Sequence, residues 1–242
     1  MTTSARFSWT VLLPVKVLAR AKSRLAVLAG DRRRELALAL ASDTVAAVLA
    51  CPEVARVVVV TSDPVAGPLL AGLGAVIVAD EPGGQAAALG SVEGTAVPAA
   101  AGELGVQDAL NAALRHGATA AERLWPGTGL AALTADLPAL SPAELATALR
   151  AAAAGPAGAV FVPDAAGVGT TLYAVPPGAE FRPLFGGASR ARHAASGAAE
   201  LEFGDMTGLR RDVDTPDDLR AALTLGAGPR TTALAAELLA DA

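Results

Sequence analysis

Apolar residues follow two rhythms along the chain. Short unbroken runs rich in Val, Leu and Ile occur at 9–15 (WTVLLPV), 55–61 (ARVVVVT), 75–79 (AVIVA), 130–136 (LAALTAD) and 158–164 (GAVFVPD). Continuous apolarity over such lengths suits strands covered on both sheet faces. Between them lie stretches with apolar positions at helical spacing. One runs through RRRELALALASDTVAAVLA, with Asp31 as its expected cap, and a short one near 64–72 stops at Gly72 or Gly74. Others are predicted at roughly 107–123, disturbed at Gly117, and at 142–153. TLYAV at 171–175 fits an antiparallel strand, and a helical piece is expected around 189–196. A helix over 216–225 follows Thr215, with Pro216 at its first position and Asp218 three residues past the cap. This alternation predicts an α/β fold, a mostly parallel sheet with helices on both faces. Residues 227–242 read as a C-terminal helix or tail, and no second domain boundary is visible.

Sheets of this kind bind ligands outside the C-terminal ends of their strands. Lys16, Asp63, Asp136 and Asp214 all fall just after predicted strand ends. Residues 80–106 break the pattern: they are rich in Gly and Ala and poor in large apolar side chains. That is too long for an ordinary connection, so the segment reads as a flexible surface insertion or a lid over the site.

Composition narrows the function classes. With 52% hydrophobic and 18% charged residues over 242 positions, the chain can bury a sizeable core. A net charge of −5 gives no general attraction to nucleic acid or to membranes. No apolar run approaches the ~20 residues of a membrane span, and WTVLLPV lacks a cleavage site for a signal peptide. A single cysteine, Cys51, cannot form an internal disulfide, which fits a cytoplasmic location. Cys51 is expected to pack at a helix end.

Four motifs carry candidate chemistry. PVKVLARAKSRL (14–25) contains Lys16 and Lys22, the only lysines in a chain whose other basic residues are arginines. Together with Arg24 they place three cations after the first strand, where they can meet phosphate groups. No P-loop and no G-x-G-x-x-G follows that strand. In TADLPAL (134–140), Asp136 offers a hard oxygen ligand suited to Mg²⁺. In DVDTPDDL (212–219), Thr215 to Asp218 are explained by helix capping, whereas Asp214 is not, and becomes the second carboxylate. Two carboxylates from separate strand ends suit metal-assisted phosphoryl or nucleotidyl transfer. GVGTT (167–171) and FGGASRARH (185–193) combine exposed backbone N–H groups, the hydroxyls of Thr170 and Ser189, and the cations Arg190 and Arg192. They read as a pocket for a small phosphorylated acid, with His193 a packing histidine rather than a base. With only His116 and His193 present, a His-rich metal site is excluded.

Taken together, PVKVLARAKSRL, DALNAAL, ADLPAL, GVGTTL, FGGASRARH and DVDTPDDL resemble the guanylyltransferases of deazaflavin coenzyme F420 biosynthesis. The likeness runs in order from about Val11 to Gly226. That family uses GTP and either phosphoenolpyruvate or 2-phospho-L-lactate. The resemblance implies a single-domain nucleotidyltransferase of GT-A-like, Rossmann-like three-layer architecture over 1–226. It implies nucleotide phosphates at Lys16, Lys22 and Arg24, with Asn111 near the nucleotide. It implies Mg²⁺ at Asp136 and Asp214, and phosphoenolpyruvate at Thr170, Gly186 and Ser189. The 80–106 segment is longer than the family pattern. An Arg-rich, Lys-poor composition suits an actinobacterial enzyme, for which the resemblance favours phosphoenolpyruvate over phospholactate. A homodimer is a further expectation. The rival readings are a nucleotidyltransferase with another acceptor, such as molybdopterin in molybdenum-cofactor guanylyltransferases or a sugar phosphate, a D-x-D glycosyltransferase, and a nucleotide-binding regulatory module.

Overall fold

A computed structural model describes residues 7–15, 23–80, 99–155, 158–201, 204 and 206–240, leaving aside the side chains of 23 and 99–107. Its sheet has the order β3-β2-β1-β4-β6-β5-β7. The strands are β1 (Trp9–Pro14), β2 (Val54–Val60), β3 (Val76–Val78), β4 (Gly129–Leu133), β5 (Val160–Pro163), β6 (Thr170–Val175) and β7 (Ala199–Glu200). β1 pairs in parallel with β2 and β4, β2 with β3, and β5 with β7, while β6 runs antiparallel to both β4 and β5. The mostly parallel sheet and the antiparallel strand at 171–175 are as expected. β7 was not anticipated, because two residues carry no periodicity.

Alternate residues of each strand supply separate cores, as the period-two geometry of a strand requires. Val11, Leu13, Val57, Val59, Leu133 and Leu172 pack beneath α2 (Arg33–Leu49), α3 (Ala66–Gly72), α5 (Pro142–Ala154) and α7 (Thr207–Arg210). Leu12, Val58, Val60, Leu130, Phe161 and Tyr173 pack against α4 (Ala99–Leu124) on the other face. The result is three layers. An outer cluster joins α1 (Ala26–Ala29), α2, α8 (Pro216–Leu225) and α9 (Pro229–Ala240) through Leu25, Leu36, Leu40, Leu219, Leu234 and Leu238. The buried Asp43 carboxylate fastens the start of α9 by accepting the amides of Arg230 (3.3 Å) and Thr231 (2.7 Å). The C-terminal stretch is therefore a docked helix.

Three local expectations are corrected. Asp31 does not cap α2; it sits exposed in the 3-10 turn Gly30–Arg32, and the cap position is Arg32, which makes no side-chain capping bond. Gly117 does not disturb α4, which is helical from Ala99 to Leu124. A Cβ at 117 would lie 2.6 Å from Val60 Cγ2 and 3.0 Å from Leu12 Cδ2, so the glycine lets the helix approach the sheet. α4 also begins inside the 80–106 stretch, so the irregular connection is shorter than expected; its part at 81–98 lies outside the described residues. Cys51 is buried just after α2, and burial pushes its thiol up. No helix among the described residues is long and apolar enough to cross a membrane.

Candidate active site

One edge of the sheet gathers the motifs. Parallel β1, β2 and β4 all end there, and antiparallel β6 begins there with Thr170. The Thr134 amide donates to Thr171 O at 2.9 Å, tying the TADLPAL turn to β6. The Asp136 carbonyl accepts the Val213 amide at 3.1 Å. Asp136 and Asp214, 78 positions apart in sequence, thus sit on backbones one hydrogen bond from each other. Asp136 is half-buried and Asp214 exposed.

Neighbouring elements fix this junction. Leu137 donates its amide to Thr44 Oγ1 of α2 at 2.9 Å. Ser141 and Glu144 form a capping box at the start of α5, and Glu144 Oε1 also accepts the Gly208 amide at 3.0 Å. A Cβ on Gly208 would collide with the Ala139 carbonyl oxygen, so only glycine allows α7 to lie this close to the turn. On the Asp214 side, the Asp218 carboxylate accepts the amides of Thr215 (2.9 Å) and Asp214 (3.3 Å), while Thr215 Oγ1 caps α8. Capping is therefore complete without the Asp214 side chain. Asp63, also after a strand end, holds the turn into α3: its Oδ1 accepts the amides of Val65 and Ala66, both at 2.9 Å.

The GVGTT and FGGASRARH motifs form a second wall. Asp164 organises the turn before β6 by accepting the amides of Val168 (2.9 Å) and Gly169 (2.8 Å). The segment 184–189 is held from three directions. Asn111 of α4 pairs with both sides of Phe185, accepting its amide at 2.9 Å and donating to its carbonyl at 3.1 Å. Arg192 donates to the carbonyls of Leu184 (3.0 Å), Phe185 (3.2 Å) and Gly186. His193 Nε2 accepts the Leu184 amide at 2.9 Å. Gly186 and Gly187 both take positive φ, +97° and +44°, which a Cβ would disfavour. Ser189 opens α6 (Ser189–Ala195), and its buried hydroxyl makes no hydrogen bond among the described residues; nor does that of Thr134. The same holds for Ser42 and Thr231, which lie away from this edge on α2 and α9.

Several residues expected at the site make structural bonds. Arg190 was expected to add charge to the pocket. Its guanidinium grips Glu200 with two bonds of 2.9 Å and the Gly167 carbonyl at 3.1 Å. Asn111, expected near the nucleotide, clamps the Phe185 backbone. His193 is fully buried, and burial followed by the Arg192 charge pulls its pKa down to about 4. Arg24 is exposed in the 3-10 turn Ser23–Leu25, beside the buried anchor Leu25. Lys16 and Lys22 lie outside the described residues; Val15, preceding Lys16, is tied to Val60 O at 3.0 Å. Sequence reasoning missed the Glu144 link, although the S-x-x-E spacing of 141–144 was its visible sign. The Asn111 and Arg192 contacts left no signal, because they join residues to backbone far away in sequence.

No protein-family model matches the chain. It is 55% identical over 234 residues to a phosphoenolpyruvate guanylyltransferase of Thermomonospora curvata, covering 97% of this chain and 91% of the relative. It is also 55% identical over 232 residues to the protein of that name from Streptomyces coelicolor, covering 96% and 97%. Among solved structures it resembles a CMP:2-keto-3-deoxy-manno-octonic acid synthetase complexed with CTP, with a TM-score of 0.51 and 14% identity over 90% of this chain and 98% of the other. A 4-diphosphocytidyl-2C-methyl-D-erythritol synthase gives a TM-score of 0.51 and 13% identity, covering 90% and 99%.

Proposed function

Since the chain belongs to the phosphoenolpyruvate guanylyltransferase family, we propose that it transfers GMP from GTP to phosphoenolpyruvate, giving enolpyruvoyl-2-diphospho-5′-guanosine and pyrophosphate for coenzyme F420 biosynthesis. Its fold is that of the nucleotidyltransferases, and it is one. The observation that carries the reading is the direct bond between the Asp136 and Val213 backbones, which joins the two candidate carboxylate loops at the sheet edge where Thr170 begins β6.

The acceptor's phosphate monoester is already anionic at neutral pH. Its oxygen attacks the α-phosphorus of GTP and pyrophosphate leaves, so no side-chain nucleophile is needed. Catalysis then rests on positioning and charge neutralisation. Lys16, Lys22 and Arg24 meet the triphosphate. Thr170, Ser189 and the backbone amides of Gly186 and Gly187 take the acceptor's carboxylate and phosphate. Asp136 and Asp214 suit a hard divalent cation, since Mg²⁺ is usually held by one or two carboxylates plus substrate phosphates. Bound there, Mg²⁺ would neutralise the phosphate charge. The reading places the enzyme in the cytoplasm, where both substrates are found.

Pyrophosphate release tests the assignment. GTP with phosphoenolpyruvate should outpace ATP, CTP and UTP with the same acceptor, and GTP with 2-phospho-L-lactate. Equal rates with all four nucleotides, or release only with a different acceptor, would refute it.

A further inference from the structure

His193 has no access to solvent, yet its ring has polar partners in Leu184, Thr170 and the Ser189 backbone. It stacks 4.8 Å from Tyr173 and 5.6 Å from Phe161, with Phe185 edge-on at 5.5 Å. Nε2 lies 2.9 Å from the Leu184 amide nitrogen. A backbone N–H can only donate, so Nε2 accepts and carries no proton. In this apolar enclosure the ring is neutral. Its one proton therefore sits on Nδ1, 3.0 Å from Thr170 Oγ1.

The direction of that second bond matters for ligand binding. With Nδ1–H donating into a lone pair of the threonine oxygen, the hydroxyl keeps its own hydrogen for another partner. In the opposite tautomer, Nδ1 would take the threonine hydrogen, leaving only lone pairs to face an anion. Thr170 is 5% exposed at the first residue of β6, the strand that pairs with β4.

We propose that His193 is a positioning residue of the acceptor site: as its Nδ1–H tautomer it fixes Thr170 as a hydrogen-bond donor and anchors the entry of the 184–189 segment through Leu184. The inference rests on the assignment of Thr170 to the acceptor made above. The device leaves the Thr170 hydrogen to be offered to a phosphate or carboxylate oxygen.

Nitrogen-15 NMR of histidine-labelled, ligand-free protein reads the tautomer directly. Only His116 and His193 contribute, and a His116→Gln variant assigns them. The expected spectrum shows His193 protonated at Nδ1 and bare at Nε2. A ring protonated at Nε2 overturns the proposal. The kinetic arm compares Thr170→Val, His193→Gln and the double variant. Glutamine can place its amide oxygen where Nε2 accepts from Leu184, but has nothing at the Nδ1 position. Each single change should raise the KM for phosphoenolpyruvate on the order of tenfold. The KM for GTP should stay within about twofold, and the double variant should be no worse than Thr170→Val, because both changes remove one shared donor. Losses that multiply in the double variant overturn the proposal. The tautomer is read without substrate, so a wrong acceptor leaves it standing, and a reversed tautomer leaves the acceptor assignment standing.

Discussion

Replacing Asn111 by alanine removes both halves of the clamp on Phe185. The Phe185 amide loses its acceptor at 2.9 Å, whereas its carbonyl keeps Arg192 at 3.2 Å. Asn111 is 8% exposed and Phe185 4%, so water has little access to the orphaned N–H. An unpaired buried donor costs about 1–3 kcal/mol. If the backbone holds its place, the whole cost appears as lost stability. If 184–189 shifts to find water, it appears as weaker acceptor binding, about 5- to 150-fold in KM for phosphoenolpyruvate. Urea unfolding and steady-state kinetics with each substrate varied in turn measure both components. Asn111→Asp is a useful companion: it keeps an oxygen for the amide but turns a second oxygen toward the Phe185 carbonyl, and should be at least as damaging. Selective loss of GTP affinity, with stability and phosphoenolpyruvate KM unchanged, would place Asn111 at the nucleotide and refute the clamp.

Asp136→Asn and Asp214→Asn should each lower turnover by roughly two orders of magnitude or more while the melting temperature holds, because the carboxylates sit at the open sheet edge; normal turnover at low Mg²⁺ would remove the altered residue from the metal site. Gly186→Val forces a β-branched residue to φ +97° and should raise the phosphoenolpyruvate KM far more than that of GTP; equal losses would place the segment elsewhere. His193 links stability to pH. Its pKa is about 4 when folded and ~6.5 when unfolded, so the unfolded chain takes up the extra proton between those values. Its contribution is full above pH 6.5 and drains away as pH falls toward 4, about 3 kcal/mol in all. Urea midpoints of wild type and His193→Gln should therefore converge on acidification, and parallel curves would contradict the burial of a neutral ring.

The chain declares its sheet more openly than its site. Runs such as Val57–Val60 are apolar at every position because successive side chains enter cores on opposite faces, so they read as covered strands without help from context. Gly117 misleads for a related reason: glycine's low helix propensity is outweighed by the contact a Cβ would make with Val60 and Leu12. At the site, Asp136 and Asp214 are legible as candidates because each follows a strand end, and because Thr215 and Asp218 complete the capping box of α8 by themselves. The wall proposed for the acceptor is half legible. Gly186, Ser189 and Thr170 announce themselves by residue type, but what orients them does not. Asn111 lies 74 positions from Phe185, and Arg190 meets Glu200 of β7. Such pairings depend on the assembled sheet and have no local signature.

The account stands or falls on where the acceptor's phosphorus goes. Phosphorus-31 NMR of a reaction containing the protein, GTP, phosphoenolpyruvate and Mg²⁺ follows every phosphorus at once. The phosphoenolpyruvate monoester signal should vanish as coupled signals of an asymmetric diphosphate diester and free pyrophosphate grow in equal amounts. A monoester signal that persists while GTP is consumed, or that gives way to pyruvate and a phosphorylated product, would contradict guanylyl transfer to phosphoenolpyruvate.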